Sequence, residues 1–203
     1  MTTLTVRFLT EADQAAIVQL RRHSYRHYYR EAVDLNGLEW NFTDVHSLHV
    51  GHFEEHSLVS CLRLTLVENQ STLEKLTLLK TPATVHFPCA VLARAATDPK
   101  FAQRSLHSEL RYIGLQLALH YQVQSVVGTL AESSQRLPGL MHLGYQILQR
   151  QTGWEGSFLA VNTPVLLIGL QTPQAISLAV AKLASKHQQI SLAHLPLKKV
   201  LPS

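Results

Sequence analysis

The chain has 203 residues, 46% of them hydrophobic, and a formal net charge of +4; that suits one domain with a large core and excludes a disordered polyelectrolyte. Lys and Arg are scattered apart from Arg21-Arg22 and Lys198-Lys199, so a nucleic-acid stripe is not expected, while the positive excess suits a phosphorylated cofactor or an acidic carrier protein. No apolar leader opens the sequence and no apolar run reaches the roughly 18 residues a span needs, so a cytoplasmic protein is expected.

In chain order, residues 5–9 read as a first strand. Thr10 and Asp13 then form a capping-box pattern ahead of a helix over about 11–29, with Ala16, Ile17, Leu20 and Tyr25 inward. A polar and aromatic loop over 34–45 follows, carrying the Asn36-Gly37 turn signal. Residues 46–53 and 58–67 flank a turn and predict an antiparallel hairpin. The stretch 69–88 is ambiguous, with room for a short helix over 71–79. Residues 90–97 predict a strand that stops at Asp98-Pro99. The clearest helix spans 105–121, with Leu106, Leu110, Ile113 and Leu117 on one stripe. Residues 125–130 are almost wholly apolar, as a central strand covered on both faces requires. A short helix over 133–143 closes at Gly144, strands follow at 146–149 and 165–170 (the second with a possible start at 158–161), and an amphipathic helix covers 173–186. The tail after Ser191 reads as irregular. Strand–helix–strand units beside a meander imply a mixed α/β sheet with helices on both faces, in a single domain over 1–203.

Cys61 and Cys89 sit in apolar stretches and read as reduced core thiols. Twelve histidines are many for this length. Strand alternation, however, sets His49 on the opposite face from His46, His52 and His56. His23 and His27 have i,i+4 spacing with no completing Cys or carboxylate, so no metal site is expected. GxSxG, Walker, CxxC and HExxH patterns are absent from the sequence, against hydrolase, nucleotide-triphosphatase and zinc-enzyme readings.

The element order, together with local residues, resembles the GNAT acyltransferase superfamily. Leu143-Gly144-Tyr145 looks like the turn before its sixth strand. Ala96-Thr97-Asp98-Pro99, followed by Arg104, looks like the strand end and loop that approach the pantetheine and pyrophosphate of acyl-CoA. The N-terminal half is similar to a narrower branch, the acyl-homoserine-lactone autoinducer synthases and N-acyl-amino-acid synthases. Its motifs match Leu20-Arg21, the segment from Glu39 through Asn41 to Asp44, Arg63-Leu64, and Arg94. The resemblance covers about residues 5–170. It implies an N-acyltransferase with acyl-CoA or an acyl carrier protein as donor and a small amine, such as an amino acid, as acceptor, with no permanently bound cofactor. It also implies that the strands at 90–97 and 125–130 splay to admit a pantetheine arm. Three departures stand out. The family's glutamate falls on Val91, its loop glycines on Gln103, Ser105 and His107, and its proton-donating tyrosine on Leu140. They motivate a second reading, a non-catalytic binding domain of the same fold.

Two constellations carry the chemistry. The first is Gln103, Arg104, Ser105 and Leu106, which open the clearest helix directly after a strand that ends in Ala96 and Thr97. Helix-initial N–H groups lack intrahelical partners and suit phosphate, with Arg104 adding a charge-assisted contact. An ordinary N-terminal turn is the plain alternative. The second constellation is Arg21, Asp44, Arg63 and Arg94. Two arginines on neighbouring strands need an acid or an anionic ligand between them. Asp44 neutralises one, which leaves charge to attract a carboxylate-bearing acceptor; a purely structural ion-pair network stands as the other possibility. Glu39 is the candidate replacement base.

Overall fold

The computed structural model describes residues 4–29, 35–152 and 163–185. The expected features at 158–161, after Ser191, at residue 186 and at the start of the 34–45 loop lie outside the described residues.

The centre is a seven-stranded mixed sheet in the order β1-β2-β3-β4-β5-β7-β6. Its strands are β1 (Leu4–Leu9), β2 (Leu48–Glu54), β3 (Ser57–Val67), β4 (Cys89–Thr97), β5 (Ser125–Ala131), β6 (Gln146–Gln151) and β7 (Val165–Leu170). β1 to β4 form an antiparallel meander. β4 and β5 are parallel, and β5-β7-β6 closes antiparallel. The helices are α1 (Gln14–Tyr29), α2 (Phe42–Val45), α3 (Gln70–Thr77), α4 (Leu106–His120), α5 (Leu137–Leu143) and α6 (Pro173–Ala184). None of the described helices is long and apolar enough to cross a membrane.

Strand alternation divides the core. Leu62, Leu64, Leu66, Ala90 and Leu92 pack beneath α4 and α6 with Leu110, Ile113, Leu117 and Ile176. Cys61 and Ala96 face α1, with Ile17, Leu20 and Tyr25. Val67, Cys89, Val91 and Val127 share that face with Leu73 of α3. Both thiols are buried, and burial holds them protonated, with Cys89 raised to about 12. His49 and His52 fall on opposite faces as alternation requires: His49 stacks on Trp40 at 4.9 Å, and His52 Nε2 reaches Glu109 of α4 at 3.0 Å.

Several boundaries differ from the sequence expectation. The first helix begins as a 3-10 turn, Glu11–Asp13, where the Asp13 carboxylate accepts the Thr10 N–H at 2.8 Å. The 34–45 segment is not all loop. Asn41 caps the one-turn helix α2, accepting the Asp44 N–H while the Asp44 carboxylate accepts the Asn41 N–H, both at 3.2 Å. His46 ends that helix, so β2 starts at Leu48. Residues Pro99–Arg104 form a 3-10 segment and Ser105 takes φ 55, so α4 starts at Leu106 and Gln103 and Arg104 lie outside its first turn. α5 is confined to Leu137–Leu143 and ends at Gly144 with φ 102, the left-handed cap that glycine supplies without strain.

Two features of β4 position everything that follows. Its ladder to β3 slips between Cys61↔Ala96 and Arg63↔Ala93, so Arg94 and Ala95 face Leu62 alone. That is a β-bulge, with Arg94 at φ 53. Its ladder to β5 ends after Cys89↔Ser125, Ala90↔Val126 and Val91↔Val127. Beyond those pairs the two strands part. Gly128 sits at the parting point, where a Cβ would meet the Leu92 carbonyl oxygen at 2.8 Å.

Candidate functional site

The parted strands open into a cleft of about 690 Å³ between the C-terminal half of α1, the end of β4, the start of α4 and the segment before α5. Its lining includes Tyr25, Tyr29, Ala95, Thr97, Gln103, Ser105, Leu106, His107, Ser134 and Arg136. A narrower extension of about 50 Å³ runs between β4 and β5, sharing Tyr25, Tyr29, Ala95 and Arg136 and adding Arg94, Arg111 and Thr129. No Asp or Glu lines either part among the described residues. Beyond the last pair, Val91↔Val127, β4 has no strand alongside it on this edge, the kind of edge that an amide-bearing chain can extend.

The expected residues are distributed unevenly around this cleft. Thr97, Gln103, Ser105 and Leu106 line it. Ala96 does not: the bulge turns it into the α1 core, fully buried, and puts Ala95 in its place. Arg104 does not line it either. Its guanidinium lies 3.5 Å from Glu54 and over the Phe101 ring at 4.9 Å, because the left-handed Ser105 turns the preceding 3-10 segment toward the hairpin.

Asp44 gathers two of the other expected residues. Its Oδ1 accepts from Arg21 Nη2 at 2.8 Å and from Arg63 Nη1 at 3.1 Å, and Oδ2 accepts the Asn41 N–H. His49 Nε2 donates to the Asp44 carbonyl oxygen at 3.0 Å. Arg21, Asp44, Arg63 and His49 are all under 5% exposed, so this cluster is sealed within the α1 face of the sheet. Burial works against the Asp44 carboxylate, but the Arg21 hydrogen bond and the charges of Arg21 and Arg63 outweigh it and hold the group well below the usual carboxylate range. Burial lowers Arg63 to about 10, with the Arg94 and Arg21 charges in the same direction and Asp44 opposing. Burial and the Arg21 charge push His49 down to about 4, so it is neutral. Arg94 feels Arg21 and Asp44 electrostatically, while its place is in the narrow part of the cleft. Glu39 is exposed, pairs with Arg22 and borders a shallow groove on the outer side of α1, away from the cleft.

The two positions that the sequence resemblance aligned with catalytic groups are apolar and filled. Val91 is 2% exposed in the α3-side core, where β4 and β5 are still paired, and Leu140 is 5% exposed under α4. The chemical groups in the cleft come from elsewhere. Tyr25 and Tyr29 stack at 5.5 Å on successive turns of α1. Burial raises the Tyr29 phenol to about 12, so it stays protonated. Arg111 donates from Nη1 to the Tyr145 hydroxyl at 3.0 Å and from Nη2 to His107 Nε2 at 3.4 Å. Burial and the charges of Arg136 and Arg111 lower His107 well below its ordinary value. None of Tyr29, His107 as a polar group, Arg111 or Arg136 stood out in the sequence. The available signals were the i,i+4 pairs Tyr25–Tyr29 and His107–Arg111, each a two-residue pattern among many.

Comparison with known proteins gives a consistent picture of the fold. No family model and no curated protein sequence matches the chain. Solved structures do. FeeM, an N-acyl amino acid synthase from uncultured soil microbes, is similar with a TM-score of 0.61 at 16% identity, over 85% of this chain and 94% of that one. An N-acetyltransferase from Staphylococcus aureus Mu50 gives a TM-score of 0.60 at 10% identity, over 84% and 99%. The PaiA N-acetyltransferase from Thermoplasma acidophilum, solved in complex with coenzyme A, gives 0.53 at 12% identity, over 83% and 99%. At these identities the likeness establishes the architecture: the mixed sheet is that of the GNAT N-acetyltransferase fold.

Proposed function

We propose that this protein is an N-acyltransferase that takes an acyl group from a phosphopantetheine thioester, acyl-CoA or an acyl carrier protein, and transfers it to the amine of a small acceptor such as an amino acid. The observation that carries the reading is the parting of β4 from β5 into a cleft that runs past the start of α4 and lacks carboxylates among the described residues. A phosphate-bearing thioester needs each of those features. Thr97, Gln103, Ser105 and the first N–H groups of α4 are suited to its phosphate end, and the unpaired edge of β4 to its pantetheine amides.

In the reaction the amine nitrogen attacks the thioester carbonyl carbon, the C–S bond breaks, and the amine's proton finally resides on the departing thiol. Bulge N–H groups and guanidinium donors are suited to the developing oxyanion, where pre-set donors act most strongly. Tyr29, held as a phenol, can protonate the thiolate and be restored by the proton the amine gives up. Glu39 lies too far out to serve as base in this arrangement, and the buried Asp44 cluster fits better as the fastening of α1 and α2 to the sheet, the wall on which Tyr25 and Tyr29 stand.

A second reading keeps the fold and the ligand but drops the chemistry. It is favoured by one observation: the usual base and donor positions, Val91 and Leu140, are core residues. Incubation with a panel of acyl-CoA thioesters and amines, followed by mass spectrometry and free-thiol release, separates the two. N-acyl product with stoichiometric thiol supports the transferase. Tight thioester binding with neither supports the binding domain, and no binding by calorimetry removes both.

A further inference from the structure

The narrow end of the cleft has an unusual charge arrangement. Arg94, Arg111 and Arg136 line one space of about 50 Å³, room for roughly three to five water molecules. They come from three different elements: the β4 bulge, the body of α4 and the turn before α5. Arg94 is aimed there by its left-handed backbone, and Arg111 is 9% exposed. The groups hydrogen-bonded to Arg111 are neutral, the Tyr145 hydroxyl and the His107 imidazole. Among the described residues neither Arg111 nor Arg136 forms an ion pair, in contrast to Arg7, Arg21, Arg22, Arg63, Arg104 and Arg150. A guanidinium has five donors, so Arg111 retains donors beyond the two it uses. The positive potential is felt by its neighbours: the charges of Arg136 and Arg111 both act to keep the His107 ring neutral.

Guanidinium groups converging on a small space repel one another unless an anion joins them, and their forked donors match a carboxylate in two-point contact. Tyr25, Tyr29 and Thr129 add hydroxyl groups to the lining, and the other walls, Leu92, Ala93, Ala95, Leu130 and Ala131, are small or apolar, so the space suits a carboxylate on one or two methylenes and no long chain. Resting on the acyltransferase reading, we propose that this pocket binds a carboxylate carried by one of the two reactants, either the far end of a short dicarboxylic acyl group or the carboxylate of an amino-acid acceptor.

The test compares wild type with Arg136→Gln, which alters a half-buried turn position and leaves the α4 core intact, and with Arg111→Lys as a second variant that keeps charge but loses the fork. Succinyl-CoA and butyryl-CoA, similar in length and different in terminal charge, are titrated by calorimetry. If the carboxylate belongs to the donor, wild type prefers succinyl-CoA by about ten- to a hundredfold, the range of a hydrogen bond to a charged group, and both variants lose that preference. If it belongs to the acceptor, the two thioesters bind alike. In that case a panel of α-amino acids, in the presence of butyryl-CoA, binds in preference to the matching amino-acid amides, again lost in the variants. Equal binding in both arms overturns the proposal. So does a variant that weakens both thioesters equally, since Arg136 then serves the phosphates. If no thioester binds at all, the acyltransferase reading fails, and the pocket is read separately from thermal stabilisation by succinate against succinamide at fixed ionic strength. Stabilisation in wild type that is absent in Arg136→Gln upholds the anion site, and its absence in wild type overturns it.

Discussion

The protein carries two arginine clusters on either side of Tyr25, and they are built on opposite rules. Arg21 and Arg63 share one carboxylate oxygen of Asp44 in a space closed to solvent. Arg94, Arg111 and Arg136 share a space that opens into a 690 Å³ cleft and holds no carboxylate among the described residues. The residue type is the same, yet partner and access differ, and on the proposed reading the first cluster fastens the fold while the second receives a ligand. Buried ion pairs cost several kcal/mol of desolvation per ion, and their value lies mainly in what is lost when one member is removed. In the cleft, Arg111 and Arg136 form no ion pair among the described residues, and an anion would offset the charge gathered there.

The comparison is broken most severely at Asp44. Asp44→Asn keeps shape and the α2 cap but removes the charge between two buried arginines. A loss of about 3–5 kcal/mol is expected, read as a shift in the urea midpoint at pH 7. A loss below 1 kcal/mol would mean that another group neutralises the arginines and that the cluster is not closed by Asp44. Arg136→Gln serves as the contrast, with stability expected within about 0.5 kcal/mol of wild type.

Acid separates the contributions on the pH axis. His49 in the unfolded chain takes up a proton near pH 6.5, while in the folded protein it resists until about pH 4. Its contribution is therefore fully present above the unfolded value and is lost as pH falls from about 6.5 to 4, on the order of 3 kcal/mol in all. His107, also depressed, acts with the same sign. Asp44, held below the ordinary carboxylate range, begins to lose its contribution only below about pH 4. Stability measured by chemical denaturation from pH 7.5 to 4.5 should fall, and His49→Gln should flatten that fall by close to one proton. An unchanged slope in His49→Gln would mean that His49 titrates normally and that the cluster admits water.

Much of this was legible in the sequence, and the exceptions have physical causes. The stripe Leu106, Leu110, Ile113, Leu117 fixes α4, and the alternation of β3 fixes which face Arg63 takes, so its meeting with Arg21 and Asp44 could be expected. The one-turn α2 could not, because a single Asn-x-x-Asp box in four residues carries no periodicity. The bulge in β4 leaves no mark in the string Ala93-Arg94-Ala95-Ala96, yet it exchanges Ala96 for Ala95 at the cleft and redirects Arg94. Ser105 in a left-handed conformation is equally silent, and it decides where Arg104 goes. Arg111 and Arg136 look like surface residues until the splay of β4 and β5 brings them to one cavity.

Gly128 tests whether the two clusters are independent. Alanine there places a Cβ 2.8 Å from the Leu92 carbonyl oxygen, a backbone atom that cannot swing aside. Gly128→Ala should cost about 1–3 kcal/mol, as overpacking does, and should alter affinity in the cleft. It should leave the acid-side slope attributed to His49 as it is in wild type. If that slope changes as well, the sheet transmits strain from the parting point to the sealed cluster, and the two regions act as one.

The smallest effect is expected at a third kind of arginine. Arg104 is about half exposed, pairs loosely with Glu54 at 3.5 Å and lies outside the cleft lining. Arg104→Glu exchanges an exposed ion pair for a like-charge contact, and such pairs are worth about 0–1 kcal/mol. At physiological salt the Debye length is about 8 Å, so a charge reversed on the outer side of the 3-10 segment is largely screened from a phosphate inside. Acyl-CoA affinity should therefore change by less than about threefold, against the far larger change expected of the carboxylate preference in Arg136→Gln. A calorimetric titration at two salt concentrations decides it. A loss of tenfold or more that fades at high salt would mean that Arg104 leaves Glu54 and turns inward when the thioester binds. The phosphate cradle would then include the arginine that the order of residues first pointed to, and the rule drawn from the two clusters would need a third term for side chains that change partner on binding.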